Sequence, residues 1–165
     1  MMPMDMKKPS RKKIRLDGYD YSSSGAYFIT VCTGDKKPLL WKNSNLDVGL
    51  SRCGETVKTA IESIEKHYEG VAVDKYCIMP NHIHIVFMID NKAAGASPRP
   101  TISDIVCAYK SLTMRESGKI GFDGKLFQTS FHEHVVRGYE DYIEIRKYIS
   151  ENPTKWHSDE LYSEI

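Results

Sequence analysis

The chain has no long apolar run, and this absence limits the classes of protein to which it can belong. Its 165 residues are 41% hydrophobic, but no apolar stretch reaches the roughly 18 to 20 residues that span a bilayer. The basic amino terminus is not followed by the apolar segment of a secretion signal. Neither membrane insertion nor export is signalled, so we expect a cytoplasmic protein with one domain and a real core.

Cysteine is also scarce. The four cysteines are widely spaced and include no C-x-x-C pair: Cys32, Cys53, Cys77 and Cys107. Such spacing indicates neither a zinc ribbon nor a disulfide framework. Reduced and mostly buried thiols are expected.

An excess of charge of one sign is lacking as well, since the net charge is only +1. Six of the 23 basic residues nevertheless fall within the first 17 positions: Lys7, Lys8, Arg11, Lys12, Lys13 and Arg15. We assign residues 1–16 to a basic arm and residues 17–165 to a single domain. Such an arm is typical of contact with nucleic-acid phosphates and equally typical of a solvated tail.

The remaining sequence alternates between strand and helix patterns. Strands are predicted at residues 27–33, 71–79 and 82–90, with an extended segment at 126–136, and helices at 49–68, from Thr101 or Ser103 to about 116, and from Glu140 or Asp141 onward. The Pro80-Asn81 turn makes the middle two strands an antiparallel hairpin. This order predicts an α+β fold, a ferredoxin-like βαββαβ antiparallel sheet with an added carboxy-terminal helix that covers its second face.

Two histidines interrupt the apolar segment YCIMPNHIHIVFMID. His82 and His84 are separated by one residue, so on a strand both imidazoles project from the same face and can share a metal ion. The alternative is that they merely fill a sheet face and bond to neighbours.

The last predicted helix supplies further parts of a metal site. Tyr148 and Asn152 lie at positions i and i+4, beside the apolar stripe that packs on the sheet. If the helix covers the histidine face, Asn152 can offer a third ligand and Tyr148 a phenol beside the metal. Taken singly, Tyr148 is typical of a packing residue and Asn152 of a helix end before Pro153.

Three stretches resemble one family, the REP-associated tyrosine transposases, which are single-tyrosine HUH endonucleases related to the smallest insertion-sequence transposases. The stretches are IRLDGYDYSSSGAYFITVCT, DKYCIMPNHIHIVFMI and FQTSFHEHVVRGYEDYIEIRKYISENPTKW. M-P-N-H-x-H followed by Y-I-x-x-N-P is more specific than either part alone, and the match covers nearly the whole chain in the right order.

The resemblance implies a metal-dependent single-stranded DNA endonuclease and transposase. His82, His84 and Asn152 would bind Mg²⁺ or Mn²⁺, and Tyr148 would be the nucleophile that forms a 5′-phosphotyrosine linkage at hairpins of palindromic repeats. The chain would act as a monomer or homodimer on the nucleoid.

A second H-x-H pair, His132 and His134, fits the family segment F-x-[DE]-H-x-x-R. The residues expected at a DNA interface are Arg11, Lys12, Lys13, Arg15, Lys110, His134 and Arg137, with a structural support as the alternative for His134 and Arg137. A noncatalytic single-stranded or hairpin DNA-binding regulator on the same fold is the main alternative function. A metal-free phosphoesterase with paired H-x-[ST] motifs does not fit, because the chain has no such pair.

Overall fold

A computed structural model describes residues 25–42, 49–90 and 100–161. Its elements in chain order are β1 (Gly25–Cys32), α1 (Arg52–His67), β2 (Val71–Ile78), β3 (His82–Ile89), α2 (Ile102–Lys119), β4 (His132–Val135) and α3 (Tyr139–Glu151), with short 3-10 segments at Gly34–Lys36 and Asn152–Ser158. The basic arm at residues 1–16, with Arg11, Lys12, Lys13 and Arg15, lies outside the described residues.

The four strands form one antiparallel sheet in the order β2-β3-β1-β4. This order and the two helices between the strands confirm the predicted ferredoxin-like α+β plan, and α3 is the added helix. β3 occupies a central position and is buried on both faces except at Met88, which is 38% exposed. The central histidine-bearing strand is therefore held by hydrogen bonds on both sides.

The helix ends follow local capping chemistry. Ser51 accepts a hydrogen bond from the Gly54 backbone at the start of α1, and Thr101 and Asp104 form a capping box at the start of α2. α1 therefore begins after Ser51 rather than at residue 49, and α2 begins at the predicted Thr101 cap. The predicted extended segment at 126–136 forms a ladder at His132–Val135 and an isolated bridge between Thr33 and Phe127, while Leu126 and Phe127 are buried in the core.

The sheet separates two cores. The larger one joins α1 and α2 to the sheet and includes the predicted stripe of α1: Val57, Ala60, Ile61 and Ile64. The smaller one lies under α3 and contains Cys77, Met79, Val86, Ile145, Ile149 and Trp156. Successive residues of β3 alternate between these cores, and residues at i and i+2 share a face, so His82 and His84 share the α3 side with Val86.

None of the described helices is long and apolar enough to cross a membrane.

Candidate active site

The two histidines of β3 lie side by side beneath α3. Their ring centroids are 4.7 Å apart, and the residues are 0% and 4% exposed. Nδ1 of His82 lies 2.7 Å from Oδ1 of Asn81, and Nδ1 of His84 lies 2.8 Å from Oγ1 of Thr30. Each ring is therefore anchored by one nitrogen, which fixes where the other nitrogen points.

The remaining ring nitrogens could bind a cation. Within the described part of the chain, Nε2 of His82 and Nε2 of His84 are buried and have no hydrogen-bond partner. Burial, together with the neighbouring His82, lowers the pKa of His84 to about 3, although Asp159 acts in the opposite direction. His84 is thus neutral at physiological pH and offers a lone pair, which is the form of imidazole that binds metals.

Asp159 completes a cluster of three groups that could hold a metal ion. The ligand atoms of His82, His84 and Asp159 all lie within 4.8 Å of one another, and Oδ2 of Asp159 is 3.5 Å from Nε2 of His82. Burial acts to raise the pKa of Asp159, but the adjacent His82 imidazole and a hydrogen bond from the Leu161 backbone outweigh it and hold the pKa below its ordinary value. The group is therefore a carboxylate in this site.

Sequence reasoning missed Asp159. It follows the 3-10 segment Asn152–Ser158, which folds the chain back over the site, and Asn81 secures this return by donating to the carbonyl of Leu161 at 2.6 Å. No spacing rule predicts which side chain such an irregular segment delivers. An acidic residue shortly after the Tyr-x-x-x-Asn helix was the available signal.

Asn152 stands at the end of α3, as predicted, and is 3% exposed. Its Nδ2 atom is buried and has no hydrogen-bond partner among the described residues. The two ends of a carboxamide are nearly the same in shape, so rotation of the amide by a half-turn places its oxygen at that unpaired position. Asn152 thus fits a site that demands an acceptor.

Tyr148 lies over the histidines and is 48% exposed. Its ring meets that of His84 edge-on at 5.3 Å between centroids and that of Phe28 at 6.3 Å. Burial and the Asp159 carboxylate raise the pKa of the phenol, while the neighbouring Asn152 side chain opposes the increase. A cleft of about 430 Å³ opens beside Tyr148, Asn152 and Asp159, so the phenol is reachable from solvent.

The expected DNA contacts in the described residues have partners within the protein. His134 Nε2 lies 2.7 Å from Oδ2 of Asp141, and the Arg137 backbone donates to the same carboxylate at 2.8 Å. Lys110 donates to the carbonyls of Gln128 and Thr129 at 2.6 and 3.1 Å. These bonds favour a role for His134 as a structural support. The Arg137 guanidinium takes no part in the contact with Asp141.

The second H-x-H pair is separate from the metal cluster. His132 and His134 pair with Thr30 and Phe28 across the β1–β4 ladder, and among the described residues neither joins the group formed by His82, His84 and Asp159. In the described part of the chain this second pair therefore forms no metal cluster.

Comparison with known proteins identifies the family. The family model described as "Transposase IS200 like" matches residues 47–152. An uncharacterized protein of Haemophilus influenzae is 32% identical over 167 residues, which cover 92% of this chain and 93% of that protein.

Two solved structures share the fold. A REP-associated tyrosine transposase bound to a REP hairpin has a TM-score of 0.62 and 20% identity, over 83% of this chain and 71% of the other. A candidate transposase from Deinococcus radiodurans has a TM-score of 0.51 and 19% identity, over 83% and 95% of the two chains. With a family match that covers more than half of its length, the chain belongs to the IS200-like transposase family.

Proposed function

We propose that the protein is a metal-dependent single-stranded DNA endonuclease and transposase that cleaves and rejoins DNA at hairpin sites, with Tyr148 as the nucleophile. The observation that carries the proposal is the convergence of two unpartnered imidazole nitrogens and one carboxylate beneath a solvent-accessible tyrosine. Residues that only fill a sheet face would not leave buried nitrogens without partners.

The residues present fit a divalent cation. His82, His84 and Asp159 would hold it, and Asn152 would add an amide oxygen. Two imidazoles with oxygen ligands suit Mn²⁺ well, and Mg²⁺ is the alternative that prefers oxygen. A cation bound there supplies positive charge to the nonbridging oxygens of a scissile phosphate and fixes its orientation.

Tyr148 performs the covalent step. Its phenolic oxygen attacks phosphorus, the bond from phosphorus to the 3′ oxygen breaks, the phenol loses its proton to a base, and the 3′ oxygen gains a proton. The products are a 5′-phosphotyrosine and a free 3′-hydroxyl. Since one phosphodiester replaces another, the step is reversible, and rejoining needs no nucleotide cofactor.

The electrostatics of the site make attack by Tyr148 depend on whether a cation is bound. The raised pKa of Tyr148 keeps the phenol protonated at neutral pH, and one cause after burial is the negative charge of Asp159. Neutralisation of that charge removes this contribution and makes the phenol easier to deprotonate. The Tyr148 phenol is therefore a weak nucleophile while no cation is bound at the site.

A DNA hairpin is the proposed substrate. The structurally similar REP-associated tyrosine transposase is bound to a REP hairpin, and the same fold here places the cleft beside Tyr148. The proposed phosphate contacts are Arg11, Lys12, Lys13 and Arg15 of the arm at residues 1–16, with Lys110 and Arg137 in the domain at residues 17–165. His134, which was the other expected contact, is proposed as a structural support because Asp141 holds it. Because such contacts are electrostatic, binding is expected to weaken with salt. The protein would act on the nucleoid, as a monomer or homodimer.

A denaturing-gel assay for covalent adducts tests the proposal. Purified protein is mixed with Mn²⁺ and labelled palindromic hairpin oligonucleotides taken from the DNA that flanks its own gene. A nuclease-sensitive band of protein-linked DNA is expected, and Tyr148→Phe or EDTA should abolish it. Tyr139→Phe is the matched control, because Tyr139 lies on the same helix but is 77% exposed.

Two outcomes contradict the mechanism. Cleavage that survives Tyr148→Phe would move the nucleophile to another tyrosine or to water. Tight hairpin binding by wild-type protein without any adduct in Mn²⁺ or Mg²⁺ would favour the noncatalytic DNA-binding regulator.

A further inference from the structure

β2 has one residue more than the segment of β3 with which it pairs. Val73 pairs with Phe87 and Lys75 pairs with Val86, the next residue along β3, so Asp74 has no partner in the ladder. Such a β-bulge redirects side chains and bends the strand locally.

The bulge reverses the alternation of side chains along β2, so odd-numbered residues lie on opposite faces of the sheet before and after it. Val71 and Val73, before the bulge, contribute to the core under α1 and α2. Cys77, after it, contributes to the core under α3. Without the extra residue, positions 73 and 77 would share a face. The insertion at Asp74 therefore reverses the alternation between Val73 and Cys77, and at this position the Asp74 carboxylate contacts α3.

That carboxylate binds two residues of the helix. Oδ2 of Asp74 accepts a hydrogen bond from the hydroxyl of Tyr142 at 2.9 Å and another from the guanidinium of Arg146. Arg146 also donates to the Tyr142 hydroxyl at 3.1 Å, and its guanidinium carbon lies 5.5 Å from the centre of the Tyr142 ring. The three residues form a closed set of contacts, which we call the Asp74 clamp.

We propose that the Asp74 clamp positions α3 so that Tyr148 stands over the metal-binding histidines. The inference rests on the proposed function, in which Tyr148 is the nucleophile. Asp74, Tyr142 and Arg146 act through the helix and touch neither DNA nor the reacting atoms.

Apolar packing alone would allow α3 to slide and rotate more than catalysis tolerates. Ile145 and Ile149 bury one face of α3, but nonpolar contacts depend only weakly on direction and tolerate sliding. Hydrogen bonds to a carboxylate are directional and restrict sliding and rotation. Arg146 precedes Tyr148 by two residues in the same helical turn, so a shift at one position moves the other by a similar distance.

The clamp is better protected than the His134–Asp141 pair, which also joins α3 to the sheet. Side-chain exposure is 20% for Asp74 and 35% for Arg146, compared with 27% for Asp141 and 51% for His134. Exposed ion pairs contribute little because water and salt screen them. The His134–Asp141 pair also lies at the start of α3, further along the helix from Tyr148. The Asp74 clamp is therefore the stronger restraint near the nucleophile.

A double-mutant cycle tests the positioning role with Asp74→Asn, Arg146→Gln and the combined variant. Adduct formation is measured in single turnover at saturating hairpin and Mn²⁺, and hairpin affinity is measured separately. Each single variant is expected to slow adduct formation by about tenfold, the scale set by a sub-ångström to ångström displacement of a reacting group. The double variant should be no slower than the singles, because they break one unit. Hairpin affinity should change less than twofold.

Glu116→Gln on α2 is the matched control, since it removes ion pairs with Arg115 and Lys119 far from α3. It should leave the adduct rate unchanged. Additive losses in the cycle, or a loss of hairpin affinity with an unchanged rate at saturation, would overturn the proposal. The second pattern would make Arg146 a DNA contact instead.

Amide hydrogen exchange provides a readout that does not require catalysis. Asp74→Asn should speed exchange in residues 144–152 while α2 exchanges as in wild type, and unchanged exchange in α3 would overturn the clamp. If wild-type protein forms no adduct, the proposed function fails, and exchange still decides whether the clamp restrains the helix.

Discussion

Thr30 and His84 lie on neighbouring strands, and Oγ1 of the threonine is 2.8 Å from Nδ1 of the histidine. The two residues are direct partners in the β1–β3 register. For Nε2 of His84 to offer a lone pair to a metal, Nδ1 must carry the ring proton and donate it to Thr30. The β ladder therefore places the group that selects the tautomer required by the proposed metal site.

Thr30→Val should weaken metal binding while leaving the strand intact, because valine keeps the shape and removes only the acceptor. Loss of such an outer partner weakens metal affinity by about 10- to 100-fold. Isothermal titration with Mn²⁺ measures the effect. Thr113→Val is the matched control, since Thr113 is buried on α2 and donates to the Tyr109 carbonyl at 2.8 Å. Equal Mn²⁺ affinity in Thr30→Val and wild type would contradict the role given to Thr30.

Asp159→Asn tests whether the carboxylate is a metal ligand. The change keeps the size of the side chain and removes its charge, so Mn²⁺ affinity should fall by at least about tenfold, because ligand charge sets affinity for hard cations. Glu160→Gln alters the next residue, whose carboxylate is outside the three-residue cluster, and should leave Mn²⁺ affinity unchanged. If Asp159→Asn binds Mn²⁺ as tightly as wild type, the protein ligands are the two histidines and Asn152 alone.

The histidine pair and the tyrosine helix could be predicted because regular elements have fixed periods. Alternation along β3 places His82 and His84 on one face, and the spacing of α3 places Tyr148 and Asn152 near each other. Local rules of this kind need no knowledge of the rest of the chain. Family resemblance then supplied the roles.

Asp159 and Asp74 could not be predicted, because both depend on irregular backbone. Asp159 reaches the histidines only after the 3-10 segment turns the chain back, and Asp74 contacts α3 from a bulge at which the alternation of β2 changes. A single-residue change in register reverses the face of every later side chain in a strand. The periodicity of hydrophobic residues in the sequence therefore does not predict where the side chains of Asp74 and Asp159 lie.

The metal-free protein should lose stability as the pH falls from 7 to 5. His84 has a pKa of about 3 when folded and one near 6.5 when unfolded. Between these values the unfolded state binds the additional proton, so acid favours unfolding. The expected loss of unfolding free energy from this residue is about 2 kcal/mol over the interval.

Urea unfolding in EDTA at pH 7 and pH 5 measures this loss, and His84→Gln isolates it, because the remaining titratable groups are common to both proteins. The variant should show a smaller pH dependence than wild type. Identical pH dependence would mean that His84 is not held neutral in the folded protein.

Gly54→Ala should destabilise the protein, because the added methyl group would collide with the backbone at Leu40. A Cβ atom at Gly54 would lie 2.1 Å from the carbonyl oxygen of Leu40, so backbone must move, at a cost of about 1 to 3 kcal/mol. The Leu40 N–H donates to Pro80 at 3.0 Å, just before the turn into β3. Displacement of Leu40 is thus transmitted toward His82.

Gly118→Ala is the control, because no atom lies within 4 Å of its added Cβ, and alanine should stabilise α2 by up to about 1 kcal/mol. Chemical denaturation should give opposite signs for the two alanines, and a neutral Gly54→Ala would show that the Leu40 segment can yield without cost.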